Sequence, residues 1–278
     1  MRNKGNNITV SVNNINVSYN DEGPKEAPVI IFIHGFPLNK SLWDKQLKSL
    51  KDNYRVIAYD IRGHGNSGLG VIDFSIDLFV NDLLSFMDAL KIEKTIICGL
   101  SMGGYVALNA IENYPDRFMA LILCDTNCIA DSSDAKEKRM NTITSIKENG
   151  VEKLAEDLIP NLFAPESFKT NSEEIAAVKE MIVTTSKQSL YNSLQALANR
   201  KETCSKLNSI KVPVLILVGE EDKITPIEAA RAMKLKIRDA NLQIIPHAGH
   251  LSNIENPYEV TYQINKFISS IKSIHLEL

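Results

Sequence analysis

The chain has 278 residues, 44% hydrophobic and 23% charged, with a formal net charge of −3. That is an ordinary globular composition, long enough for one large α/β domain or a domain with an insertion, and a core of this size needs no disulfides. The mild acidic excess gives no reason to expect nucleic acid. No apolar run reaches transmembrane length, and the opening stretch Met1 to Asn7 has no apolar signal core, so a cytoplasmic protein without a membrane partner is expected. Ile8 to Val12 and Ile15 to Tyr19 alternate apolar and polar residues around Asn13-Asn14, which reads as a hairpin. Val29 to Ile33 is a nearly continuous apolar run, hence a strand buried on both faces, and it ends in His34-Gly35-Phe36-Pro37. Lys40 to Leu50 reads as a helix. Tyr54 to Tyr59 reads as a strand ending at Asp60, followed by the glycine-punctuated loop Ile61 to Gly68. Ile76, Phe79, Val80, Leu83, Leu84, Met87 and Leu90 repeat at helical spacing.

Thr95 to Cys98 is a further buried strand, Tyr105 to Tyr114 a helix, and Phe118 to Cys124 a strand ending at Asp125. From about Thr126 to Leu207 the alternation stops. Charged amphipathic helices take over, such as Ser186 to Asn199 with Leu190, Tyr191, Leu194 and Leu197 inward. This stretch, 126–207, reads as a helical cap inserted into a core made of 1–125 and 208–278. The strands resume at Val212 to Val218. Thr225-Pro226-Ile227-Glu228 combines an N-cap threonine, a proline at the first helical position and a capping-box glutamate, so a helix is predicted to about Ile237. Asn241 to Ile245 is the last strand, and Asn256-Pro257 opens the last helix. Strands alternating with helices after a hairpin imply a mostly parallel, doubly wound sheet covered on both faces, with sites beyond the carboxyl ends of the strands. Cys98, Cys124, Cys128 and Cys204 follow no C-x-x-C or zinc spacing, and the first two fall in apolar runs, which points to buried free thiols.

Between a strand and a helix stands Gly99-Leu100-Ser101-Met102-Gly103, a G-x-S-x-G pattern. A serine at the tip of so tight a turn adopts a strained backbone conformation, and its neighbours two residues away must be small because strand and helix nearly touch. Gly103 and Gly104 cost about 1 kcal/mol each in a helix, a cost that close approach to the sheet accounts for. The turn aims the Met102 N–H and the positive helix end at the space where an oxyanion would form. A serine nucleophile needs a base, and the base an orienting acid. In hydrolases with such an elbow the chain order is serine, acid, histidine, which leaves His247 and His250 of the five histidines. His250, farther beyond the last strand, is the candidate base, and His247 is the structural alternative. Asp222, after Val218-Gly219-Glu220-Glu221, is the candidate acid; Asp125 is its competitor, and Glu220 and Glu221 read as a solvated turn. Phe36 lies where a second oxyanion N–H should come from, with Gly35 permitting close approach.

These pieces together, with Tyr59-Asp60-Ile61-Arg62-Gly63-His64-Gly65-Asn66-Ser67 and His247-Ala248-Gly249-His250, resemble the α/β-hydrolase superfamily over nearly the full length. Gly99-Leu100-Ser101-Met102-Gly103-Gly104 looks most like the 3-oxoadipate enol-lactonase and small carboxylesterase branch, which includes cofactor-free perhydrolases. The resemblance implies Ser101, Asp222 and His250 as a triad, the Phe36 and Met102 amides as an oxyanion hole, and a cap lining the pocket. It implies a serine hydrolase of a small carboxylic ester or lactone. Ser101 argues against the superfamily's dehalogenases and epoxide hydrolases, which carry aspartate there. Competing readings are carbon–carbon bond hydrolysis or perhydrolysis on the same triad, and a non-catalytic ligand-sensing protein on the same scaffold. No metal or organic cofactor is implied, since no ligand cluster or phosphate-binding loop stands in the sequence.

Overall fold

A computed structural model of the chain describes residues 5–71 and 73–275. Met1 to Lys4, part of the opening stretch read for a signal core, lie outside the described residues. The two asparagines at the first turn take positive φ, which lets β1 (Gly5–Val12) fold back on β2 (Ile15–Glu22) as an antiparallel hairpin. The chain then alternates: β3 (Val29–Ile33), α1 (Asp44–Leu50), β4 (Arg55–Tyr59), α2 (Ile76–Ala89), β5 (Thr95–Leu100), α3 (Met102–Asn113), β6 (Phe118–Cys124). Next come α4 (Ser133–Leu162), α5 (Ser167–Thr170), α6 (Ser172–Val183) and α7 (Lys187–Ala198). The chain ends with β7 (Val214–Gly219), α8 (Ile227–Lys236), β8 (Asn241–Ile245), α9 (Ser252–Glu255) and α10 (Pro257–His275).

The eight strands form one sheet in the order β1-β2-β4-β3-β5-β6-β7-β8, antiparallel at β1, β2 and β4 and parallel from β4 onward. This is the doubly wound α/β architecture expected from the alternation. β2 runs three residues past Tyr19 because it pairs with β4, Tyr19 opposite Tyr59 and Glu22 opposite Val56. β7 starts two residues later than the apolar run, after Pro213, which has no N–H to give a ladder.

Residues alternate between the two faces along each strand. Ile31, Ile33, Ile57 and Tyr59 join one core with the apolar stripes of α2, α3 and α8. Ile30, Phe32, Val56 and Ala58 join the other with α1, α10 and Trp43, whose ring centroid lies 5.0 Å from that of Phe32. The second core continues without a break into Ile146, Leu154, Phe163, Ile182, Leu190 and Leu194 of the helical stretch between β6 and β7. α4 is broken at Gly150 (φ 88°). Tyr191, expected to point inward, is only half-buried, with Lys147 over its ring at 5.5 Å.

Cys98 and Cys124 are buried free thiols on neighbouring strands, as their apolar runs suggested. Cys128 and Cys204 form a disulfide across 76 residues, joining the two ends of the helical stretch. Their spacing carries no signal for this pairing, and the cytoplasmic expectation takes no account of it; such bonds persist mainly in oxidising compartments. Among the described residues no helix is long and apolar enough to cross a membrane, and no group of three or more His, Cys, Asp or Glu residues could hold a metal ion.

Candidate active site

Ser101 is the hinge between β5 and α3. Its backbone sits at φ 53°, ψ −113°, a conformation that non-glycine residues rarely hold. The surroundings force it there. The Ser101 N–H donates to the Cys124 carbonyl at 3.0 Å, and the Ser101 carbonyl accepts from Gly104 N–H and, at 2.8 Å, from the Thr126 hydroxyl. Close approach explains the flanking glycines. A Cβ on Gly99 would stand 2.2 Å from the Gly103 carbonyl oxygen, and one on Gly103 would stand 2.3 Å from that of Ile33. Helix α3 therefore begins at Met102, directly after the elbow, rather than at Tyr105 as apolar spacing suggests, and it abuts the end of β3.

The loops after β7 and β8 bring two further side chains to the elbow. His250 Nε2 lies 2.9 Å from Ser101 Oγ, and His250 Nδ1 lies 2.9 Å from Asp222 Oδ2. Asp222 and His250 are buried, Ser101 half-buried. The Asp222 carboxylate is saturated: Oδ1 accepts the Ile224 and Thr225 amides at 2.8 and 2.9 Å, and Oδ2 accepts the Thr225 hydroxyl at 2.6 Å. Burial by itself pushes its pKa upward. The charge and hydrogen bond of His250 and the bonds from Thr225 outweigh that, so the carboxyl ionises below its ordinary range. Thr225 thus serves Asp222 and does not cap α8, whose N-cap is Pro226. The signal was present as Asp222-Lys223-Ile224-Thr225, since an aspartate that accepts the amides two and three residues on forms an Asx turn.

The alternatives sit elsewhere. Asp125, just past the end of β6, is fully buried and bonds to neither ring nitrogen of His250; it accepts the Gly219 amide at 2.8 Å and the Ser252 hydroxyl at 2.5 Å. Burial and the nearby Asp222 charge raise its pKa well above the usual carboxylate value. His247 is exposed, its backbone N–H 3.3 Å from Glu220 Oε2, and Glu220 and Glu221 are exposed.

Phe36 follows β3 in the loop packed against the elbow. Among the described residues no protein acceptor takes the N–H of Phe36 or Met102, so both amides are free for a ligand. Two buried histidines support this loop. His34 Nε2 accepts the Ile61 amide at 3.0 Å, and His64 Nε2 lies 3.4 Å from the Ser193 hydroxyl of α7, with the two rings 5.3 Å apart. Burial, chiefly, lowers the His34 pKa to about 4 and that of His64 to about 3, the latter helped by the His34 charge. Both are therefore neutral in the folded chain at pH values where the unfolded chain already binds protons. Their contribution to stability is full above pH 6.5 and is lost as pH falls from 6.5 toward 4, about 3 kcal/mol for His34 alone. Asp125, Asp44 and Glu255, raised by burial, act in the opposite sense. Urea melts of wild type and His64→Asn across pH 7 to 4 isolate the histidine: the stability difference should favour wild type near neutrality and shrink on acidification. A difference independent of pH would contradict it.

Residues 28–257 match the family model described as alpha/beta hydrolase fold. The chain is 30% identical over 250 residues to 3-oxoadipate enol-lactonase 1 of Acinetobacter baylyi, covering 90% of this chain and 92% of that one. It superposes on a thermophilic esterase from Thermogutta terrifontis, solved with malate bound, with a TM-score of 0.90 and 32% identity over 95% of this chain and 98% of that one. It superposes on the enol-lactonase of Burkholderia xenovorans with a TM-score of 0.88 and 26% identity, over 94% of this chain and all of the other.

Proposed function

Because the chain belongs to the α/β-hydrolase family, we propose that it hydrolyses small carboxylic esters or lactones through an acyl-enzyme on Ser101. The observation that carries this reading is the unbroken relay Ser101 Oγ, His250, Asp222, with both links at 2.9 Å. The enol-lactonases and esterase it resembles support the substrate class.

In this reading Ser101 Oγ attacks the carbonyl carbon while His250 Nε2 takes the hydroxyl proton. Asp222 accepts from Nδ1–H, fixes the tautomer and stabilises the imidazolium. The free amides of Phe36 and Met102 hold the oxyanion; one such donor is worth about 3 kcal/mol. His250 returns the proton to the leaving alkoxide, then draws a proton from water, whose oxygen attacks the acyl carbon; the bond from that carbon to Ser101 Oγ breaks, His250 gives the proton back to Oγ, and the acid leaves. The stretch 126–207 acts as a cap on the core formed by 1–125 and 208–278. Its contacts with the site loops include Thr185 hydroxyl to Pro37 carbonyl at 3.1 Å, Ser193 to His64, and Leu162 carbonyl to His250 amide at 2.9 Å.

Treatment with a fluorophosphonate followed by peptide mapping should place one label on Ser101, and a panel of nitrophenyl esters, lactones and β-diketones should give turnover of an ester or a lactone. Absence of the label, or turnover confined to diketones, would overturn the proposal.

A further inference from the structure

Sheet ends account for where Ser101 and Asp222 stand. They do not account for His250, which lies five residues beyond β8. Its loop is held instead from the helical stretch between β6 and β7. The amides of His250 and Leu251 both donate to the carbonyl of Leu162, the last residue of α4, at 2.9 and 3.3 Å. One turn away, the Glu255 carboxylate of α9 bridges the same two segments. Its Oε1 accepts the Gly249 amide at 2.7 Å; its Oε2 accepts the Ala164 amide at 2.7 Å and the Ser167 hydroxyl at 2.6 Å. The fit is close: a Cβ on Gly249 would stand 2.8 Å from the Ala164 nitrogen and 2.9 Å from the Phe163 carbonyl carbon. Three hydrogen bonds hold this half-buried carboxylate, and among the described residues no salt bridge does.

We propose that Glu255 is a positioning residue for His250: it staples the Gly249–His250 peptide to the Leu162–Ser167 segment, so that the reach of the imidazole to Ser101 is set by the helical stretch as much as by the sheet. This rests on the reading of His250 as the base. Three donors converge on Glu255, and only a carboxylate offers acceptors on both oxygens. A glutamine there has one acceptor, and its NH2 must face either the Gly249 N–H or the Ala164 and Ser167 pair. Glu255→Gln therefore severs one side of the staple, with donor set against donor. Ser167→Ala removes one bond and leaves the Gly249–Glu255–Ala164 bridge intact.

Displacement of a reacting group by about 1 Å costs on the order of 10²-fold in rate. Glu255→Gln should accordingly lower kcat roughly 10- to 100-fold, with KM within about threefold, at a temperature well below its melting point. Ser167→Ala should keep kcat within about threefold even where its melting temperature falls. The low-field proton resonance of the His250–Asp222 bond should shift or broaden in Glu255→Gln and persist in Ser167→Ala. Should Glu255→Gln fail to fold, Glu255→Asp, one methylene too short to reach all three donors, carries the same test. A folded variant at either substitution with wild-type kcat and an unmoved resonance overturns the positioning role. Failure of the wild-type protein itself to label at Ser101 would instead overturn the reading of the site, so the two failures are distinguishable.

Discussion

Replacing Ser101 by alanine is expected to lower kcat/KM on the order of 10⁴-fold or more, with KM little changed and the fold intact. The hydroxyl is the only group the substitution removes. Ser101 holds its place through backbone bonds, N–H to Cys124 and carbonyl to Thr126 and Gly104, and none of these involves Oγ. The φ of 53° is a cost of the turn that alanine bears as serine does, so stability should move little. The residual rate would come from the two free amides and from binding, which serve a water nucleophile poorly. Steady-state kinetics on whichever ester or lactone the panel identifies, beside a thermal melt, make the check. A variant that keeps more than a tenth of wild-type activity would show that another group attacks.

The second large effect concerns the acid. Asp222→Asn should cost a comparable factor, about 10⁴ in kcat, while Asp125→Asn should stay within about tenfold of wild type. Asparagine matches aspartate in shape, and its oxygen can still accept from the Ile224 and Thr225 amides. Its NH2 then meets His250 Nδ1, which must accept rather than donate. That leaves the proton on Nε2, 2.9 Å from Ser101 Oγ, where the ring can no longer take the serine proton. Asp125 is a different carboxyl. Its partners are the Gly219 amide and the Ser252 hydroxyl, burial and the Asp222 charge favour its neutral form, and a neutral amide of the same shape replaces it at small cost. The reverse outcome, with Asp125→Asn inactive and Asp222→Asn near wild type, would transfer the acid role to β6.

Much of this could be read in one dimension. Apolar runs of strand length, the period of α2, the asparagine turn of the hairpin and the glycines around Ser101 are local patterns, and local steric and burial preferences follow directly from residue type. His34, Ser101, Asp125 and Asp222, at or just past strand ends, point to one rim because a parallel sheet collects its loops at one edge. Where local signals offered two uses for a residue, they erred. Thr225-Pro226 has the look of a helix start, yet the threonine hydroxyl is spent on Asp222, since a buried carboxylate makes a stronger claim on a donor than an exposed helix end.

Residue pattern by itself therefore determined the order of elements, the elbow, and the short list from which a nucleophile, acid and base could be drawn. Tertiary structure alone decided that β2 sits beside β4, that Cys128 meets Cys204, that Asp222 and not Asp125 touches His250, and that Leu162 and Glu255 hold the histidine loop. Each of these depends on segments tens of residues apart being pressed together by two apolar cores on opposite faces of one sheet, and no spacing within either segment encodes which partner that packing will deliver.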